Sequence, residues 1–257
     1  MIVKKSAADI EKMAAAGDVL VRTHRLLAGK IRPGVTTQEL DAAAEKFIRS
    51  QGAVPSFKGY RGFPGSICAS PNHMVVHGIP GPYALARGDV ISIDIGVTYE
   101  GWVADAAITY ALEPVTPVAE KLLAVTKESL FRAVEQARPG NRLGAVSNAV
   151  QTHVESAGLS VVRSLVGHGI GRDMHEDPQI PNFGPASSGP KLEEGMVLAI
   201  EPMVTAGRHE VRIGDDQWAI YAQDGSLAAH FEFTVAVTAD GPRILTPWHE
   251  HVGAAAA

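Results

Sequence analysis

The sequence predicts an α+β fold of two similar halves, each a pair of helices followed by antiparallel strands. Three observations predict it. Arg32-Pro33-Gly34 recurs as Arg138-Pro139-Gly140, an offset of 106, and Gly52 recurs as Gly158 at the same offset. Leu85, Gly88, Val90, Ile93 and Asp94 are matched by Leu192, Gly195, Val197, Ile200 and Glu201 at an offset of 107. His77-Gly78-Ile79 has a counterpart in His168-Gly169-Ile170, and each precedes a strand that carries an acid. Self-similarity over such a distance marks a duplicated structural unit. No Gly, Ser or Pro linker separates the halves, about 6–112 and 116–245, so residues 1–257 are expected to form a single domain.

The elements follow in order. Ser6 can cap a helix whose inner face carries Ile10, Met13, Leu20, Val21 and Leu26, and which stops before Pro33-Gly34. Thr36 and Glu39 form a capping box opening a second helix that closes at Gly52. Thr116-Pro117 opens a third helix to about Ala137, and a fourth lies between Asn141 and Gly158. In the strand Val90 to Thr98, Ile91, Ile93, Ile95 and Val97 face one way and Ser92, Asp94, Gly96 and Thr98 the other. A turn at Glu100-Gly101 returns the chain through Asp105 to Tyr110. In the second half, Trp218–Tyr221 and Leu227–Thr238 flank Asp224-Gly225, which reads as another hairpin.

Of the 257 residues, 46% are hydrophobic and 20% charged, and the mean hydropathy is near zero, as expected for a soluble unit with a substantial core. A net charge of -5 supplies no positive field for nucleic acid or an anionic membrane. The single cysteine, Cys68, excludes an internal disulfide and a cysteine-rich zinc module. No apolar h-region follows Met1–Asp9 and no apolar run reaches membrane-spanning length, so a cytoplasmic protein is expected. The Ala254–Ala257 tail reads as a frayed end.

A two-residue turn at Glu100-Gly101 sets Asp94 opposite Ala107 and Asp105 opposite Gly96, so the two acids become diagonal neighbours on one face. A turn one residue longer would reverse one of them. Carboxylates so placed repel, and their pKa values rise unless a cation lies between them. The repeat implies that the second half contributes Glu201 and Glu232 in the same way, with His168 nearby. Glu232 lies inside the apolar run Phe231–Val237, where an unpaired charge is costly. Four carboxylates balance two divalent ions. One imidazole among oxygen ligands points to manganese, iron, cobalt or zinc rather than copper.

At these residues the sequence resembles the type I methionine aminopeptidases over nearly its whole length. The resemblance is carried by Tyr60-Arg61-Gly62-Phe63-Pro64, Ser66-Ile67-Cys68, Asn72 and His77-Gly78-Ile79-Pro80 in the first half. In the second it is carried by Gly167-His168-Gly169-Ile170-Gly171, His175-Glu176-Asp177-Pro178 and Ile200-Glu201-Pro202-Met203. It implies a pita-bread fold, in which two pseudo-symmetric halves close a central antiparallel sheet around a dinuclear metal site. It further implies that Asp94, Asp105, His168, Glu201 and Glu232 ligate the metals, with Asp105 and Glu232 bridging both. His77 and His175 would contact the scissile amide and its carbonyl oxygen without binding metal.

The implied reaction is release of N-terminal methionine from nascent proteins and peptides, by a metal-bridging hydroxide attacking the first peptide bond. Glu201 would move its proton, and one metal and His175 would stabilise the oxyanion. Tyr60, Phe63, Cys68, His77, Met174 and Trp218 would line the methionine pocket. The family often has an aromatic residue where Met174 stands, a larger one where Leu165 stands, and a histidine where Phe233 stands. With a single cysteine no zinc-finger extension of the eukaryotic kind is expected, and the short interval from His175 to Glu201 leaves no room for the helical insertion of type II enzymes. A monomer is expected, and the resemblance implies contact with the ribosome near the exit tunnel. A proline-directed peptidase of the same fold and a non-catalytic binding protein are the competing readings; the Tyr60–Cys68 segment disfavours the first and the full set of ligand types the second.

Overall fold

Helix α1 (Ala7–Ala28) starts where the Ser6 hydroxyl accepts the Asp9 N–H and the Asp9 carboxylate accepts the Ser6 N–H, a reciprocal cap. The structure, a computed structural model, describes residues 1–252, so the Ala254–Ala257 tail lies outside the described residues. Helix α2 (Thr37–Ser50) is capped in the same way by Thr36 and Glu39. A two-residue strand β1 (Val54–Pro55) and a turn of 3-10 helix at Tyr60–Gly62 lead to β2 (Cys68–Pro71) and β3 (Met74–Val76). Then comes a long hairpin, β4 (Val90–Tyr99) and β5 (Trp102–Ala111). Helices α3 (Pro117–Gln136) and α4 (Leu143–Ser156) follow, with Pro117 at the first helical position and Thr116 as the cap. The remaining strands are β6 (Ser160–Val161), β7 (Val166–Gly169), β8 (Glu176–Pro181), β9 (Val197–Ile200), β10 (Met203–Thr205), β11 (Val211–Ile213), β12 (Ile220–Ala222), β13 (Ala228–His230), β14 (Phe233–Thr238) and β15 (Gly241–Ile244). A short helix α5 (Trp248–His251) closes the described chain.

The helices lie outside the strands. α1 packs on β4 and β5, and α3 on β9, β10, β13 and β15. Ile91, Ile93, Ile95 and Val97 enter the main core with Leu20 and Leu27 of α1. Leu27, not Leu26, is the buried member of that helical turn, because Leu26 is only half-buried. Residue Gly17 lets α1 approach closely: a Cβ there would stand 2.0 Å from the Leu245 carbonyl oxygen. The other face of β4 is buried as well, because the second half covers it.

The register of the first hairpin is the expected one. Glu100 and Gly101 both have positive φ, 48° and 76°, the conformation of a tight hairpin turn matched to strand twist. Asp94 pairs with Ala107 and Gly96 with Asp105. Asp224-Gly225, by contrast, does not join a hairpin. Its Asp224 carboxylate accepts the N–H groups of Arg208 and Ser226, and the strands on either side go to different sheets. β12 pairs with β11 and β3, whereas β13 pairs with β10. The stretch Leu227–Thr238 is therefore two strands, broken at Phe231-Glu232.

That break faces another at Glu201-Pro202, where the proline has no N–H to offer a ladder. The register runs unchanged across both: Ile200 pairs with Phe233 and Met203 with His230, which sets Glu201 opposite Glu232. The β4–β5 hairpin and the paired strands of the second half are joined at their centre by threonines. The Thr109 hydroxyl donates to the His230 carbonyl and accepts the His230 N–H, and the Thr234 hydroxyl does the same with Asp105. Across this pseudo-two-fold, Asp105 corresponds to His230 and Ala107 to Glu232. The second half thus supplies its pair of acids directly opposed, where the first supplies its pair diagonally, which corrects the expectation that both halves do so in the same way.

Replacing Thr109 with valine keeps shape and leaves the buried N–H and C=O of His230 without partners. The Thr109→Val protein is expected to lose about 1–3 kcal/mol of stability per orphaned group, measured by urea unfolding of the metal-free protein.

Candidate metal centre

Asp94 sits mid-strand between Ala107 on one side and Cys68 on the other, and Asp105 lies two residues along the same face of β5. Glu201 follows β9 and Glu232 precedes β14. The Glu232 N–H donates to the carbonyl of Ala107, which binds the second pair of acids to the first hairpin at the level of Asp94. His168 is held in β7 between Ala199 and Gln179. Its flanking glycines allow that approach, since a Cβ on Gly167 would stand 2.4 Å from the Ala199 oxygen and one on Gly169 2.1 Å from that of Asp177.

Donor atoms of Asp105, His168 and Glu232 lie within 4.8 Å of one another. The His168 Nε2 is 3.7 Å from Glu201 Oε1 and 3.9 Å from Asp105 Oδ2. Its Nδ1 is 3.0 Å from the Gly169 carbonyl, so the ring proton is held there and the Nε2 lone pair faces the cleft. Asp94 Oδ1, Asp105 Oδ1 and Glu232 Oε1 are buried and accept no hydrogen bond from the protein.

Burial raises Asp94 from its ordinary 3.8 to about 7, with His230 opposing and Glu201 adding to the rise. Burial also lifts Glu201 from 4.5 to about 8. Asp105 and Glu232 are driven well above the usual carboxylate range by burial and then by each other's neighbouring acids. A buried cluster of acids with orphaned oxygens and one oriented imidazole fits divalent cations of the borderline kind, which neutralise the repulsion and take the free lone pairs.

The cavity above these groups is about 160 Å³ in volume. Tyr60, Phe63, Cys68, His77, His175 and Trp218 line it together with all five candidate ligands, and so do Phe57 and Arg61, which the sequence analysis did not single out. Met174 does not line it. It is buried in the same apolar cluster behind the wall, where a Cβ on Gly96 would meet its methyl at 2.6 Å. Phe63 and Trp218 meet edge to face, with ring centroids 5.2 Å apart. The Cys68 thiol is pushed well above its ordinary pKa by burial and by Asp94, so it is a neutral apolar surface.

His77 follows β3 with φ 60°, a left-handed conformation unusual for a side chain of this size, and burial lowers its pKa to about 4. His175 stacks on Tyr60, whose hydroxyl is 2.8 Å from its Nδ1; burial and then Arg61 lower its pKa. The loop bearing His175 is pinned by Glu176, which binds the buried Lys5 ammonium at 2.5 Å and accepts the Arg172 N–H. The buried His230 beside Glu201 and Glu232 was also missed by the sequence analysis. Its signal was available: in a strand alternation it shares the face of Glu232 two residues on.

Such a centre defines a metal-dependent hydrolase, and metallopeptidase family M24, whose pattern matches residues 11–239, is the family to which the chain belongs. Within it, the chain is 52% identical to the methionine aminopeptidase of Clostridium perfringens, over 96% of this chain and 99% of that protein. It is 51% identical to methionine aminopeptidase 1 of Bacillus subtilis, with the same shares covered. The crystal structure of methionine aminopeptidase from Rickettsia prowazekii superposes with a TM-score of 0.94 at 39% identity, over 96% of this chain and 100% of that one. The architecture is the pita-bread fold that the resemblance implied.

The raised carboxylates make the stability of the metal-free protein depend on pH. His24 and His168, both buried and lowered to about 4, act in the opposite sense below 6.5, because the unfolded chain takes up their protons. Between 6.5 and about 8 the carboxylates dominate: the folded protein keeps protons that the unfolded chain has lost, so stability falls as pH rises. Chelator-stripped protein is expected to show a declining Tm across that window in scanning calorimetry, and added divalent cation to remove the decline. A flat or rising Tm for the stripped protein would contradict this account of the centre.

Proposed function

We propose that the protein is a methionyl aminopeptidase that removes N-terminal methionine from nascent proteins and peptides by metal-dependent hydrolysis. The observation that carries this reading is the convergence of Asp94, Asp105, His168, Glu201 and Glu232 at the floor of a cavity with an apolar wall. These five residues would hold two divalent ions, cobalt, manganese, iron or zinc, with Asp105 and Glu232 shared between them. When bound, the ions supply an acidified water at neutral pH and polarise the carbonyl of the first peptide bond.

The protein's own groups do the rest. The Tyr60 hydroxyl, by donating to Nδ1 of the neutral His175, leaves a proton on Nε2 for the developing oxyanion. His77, also neutral, would meet the scissile amide. Glu201 would carry the proton from the attacking water toward the leaving amine. Tyr60, Phe63, Cys68 and Trp218 offer polarizable apolar surface to a thioether side chain, with His77 and His175 beside it and Met174 supporting the wall from behind. The α-amine of a substrate would lie at the acidic floor, which restricts the enzyme to chain ends.

Residues 1–257 would act as a single catalytic domain, with halves of about 6–112 and 116–245 meeting at the site. Among the described residues no helix is long and apolar enough to cross a membrane. A cytoplasmic monomer that meets nascent chains near the ribosomal exit tunnel is the setting that fits the substrate.

The reading is tested by mass spectrometry of a Met-Ala-Ser and an Ala-Pro-Ser peptide, with manganese or cobalt and with chelator. Metal-dependent loss of Met from the first alone is expected, and Glu201→Gln is expected to lower kcat by about 10²–10⁴-fold. Cleavage of Ala-Pro-Ser in preference would move the assignment to a proline-directed peptidase, and no cleavage of either by folded, metal-loaded protein would overturn the enzymatic reading.

A further inference from the structure

We infer that His230 is a positioning residue of the metal centre, donating its Nε2–H to Glu201 so that the opposite oxygen of that carboxylate is presented beside His168. The inference rests on the metallopeptidase reading above and concerns a residue to which that reading gives no role.

His230 is 2% exposed, and neither of its ring nitrogens has a hydrogen-bond partner among the described residues. An imidazole in that state calls for an explanation. Its Nε2 is 3.6 Å from Glu201 Oε2 and 3.9 Å from Glu232 Oε2. On the far side of Glu201, the His168 Nε2 is 3.7 Å from Oε1. Glu201 therefore lies between two imidazoles, one oxygen toward each. The His230 backbone is itself immobilised, since its N–H and C=O are both bound by the Thr109 hydroxyl. It occupies the place in the second half that Asp105 occupies in the first, facing the same cleft.

The two histidines differ in where the proton sits. The Gly169 carbonyl takes the Nδ1 proton of His168, leaving its Nε2 a lone pair for a cation. No acceptor meets the Nδ1 of His230, and its Nε2 faces two carboxylates, which when ionised can only accept. With Glu201 ionised, as a bound cation would hold it, the Nε2 of His230 carries the proton, and a nitrogen carrying a proton is a donor and not a ligand. A shift of under an ångström brings it to hydrogen-bond distance of Glu201. The hydrogen bond that Glu201 accepts from Asn182 goes to its backbone carbonyl, so a donor from His230 is what would fix which carboxylate oxygen faces the centre.

The test uses the full chain, loaded with diamagnetic Zn(II) for the tautomer measurement and metal-free at the start of each titration. Long-range ¹⁵N–¹H correlation on the histidine side chains of the parent protein is expected to show His230 protonated at Nε2 and His168 at Nδ1; a proton on Nδ1 alone of His230 would overturn the proposal, and this needs no variant to fold. His230→Leu, which lacks the donor, is expected to weaken Mn(II) binding by about 10–100-fold in titration calorimetry and to change the Co(II) d–d spectrum, while His230→Gln, which restores an N–H, returns affinity to within about threefold. Circular dichroism melting of the metal-free variants separates this from loss of fold. Unchanged affinity and spectrum in His230→Leu would exclude a positioning role, and a His230→Gln protein as weak as His230→Leu would make His230 a ligand instead. Failure of the parent protein to bind either Mn(II) or Zn(II) would overturn the metallopeptidase reading, whereas a parent that binds both but carries its His230 proton on Nδ1 would overturn the present inference alone.

Discussion

Four carboxylates buried in one cleft repel one another, and a chain that places them there must hold them against that repulsion. Asp94 and Asp105 cannot move apart because they belong to one continuous ladder on β4 and β5. Glu201 and Glu232 cannot because the register on either side of them is shared by two pairs of strands. The hydrogen bond from the Glu232 N–H to the Ala107 carbonyl, and the two threonine clasps, fasten one pair to the other. The helices outside supply the apolar burial that offsets the electrostatic cost, so the acids remain deep enough to have raised pKa values and orphaned oxygens. A centre built in this way has its backbone placed by pairing that needs no cation.

The specificity surface is built on less regular backbone. Tyr60 and Arg61 sit in a single 3-10 turn, and His77 in a left-handed conformation at a strand end. His175 lies in a loop pinned by a buried Lys5–Glu176 pair. Such segments can aim a side chain in directions that a strand does not allow, at a cost in local strain that the surrounding packing must over-determine. The cavity therefore combines a floor fixed by sheet geometry with walls and rim fixed by local caps, stacking and ion pairing.

Where the structure agrees with the sequence reading, the controlling interactions are local. Ser6 with Asp9 and Thr36 with Glu39 are three residues apart, so the helix starts could be read directly. Glu100-Gly101 sets a register that carries Asp94 and Asp105 onto one face, because a two-residue turn leaves no freedom. Where the two disagree, the deciding partner is distant in sequence. Asp224-Gly225 has the composition of a hairpin turn, but β12 is claimed by β3 and β11 and β13 by β10. Met174 reads as a pocket residue from its motif, yet it lies behind the wall because Gly96 leaves room for it there.

The same division separates what the sequence determined by itself from what only the tertiary structure decided. The sequence determined the helix pairs, the first hairpin and its facing acids, the chemical type of the centre and the residues able to form it, since repeat, caps and turn chemistry act over short range. Packing of one half on the other decided that Glu232 corresponds to Ala107 rather than to Asp105. It also decided that Thr109 and Thr234 join the halves. Those are contacts between segments more than a hundred residues apart, and a strand alternation records which face a side chain occupies but not what will be brought against it.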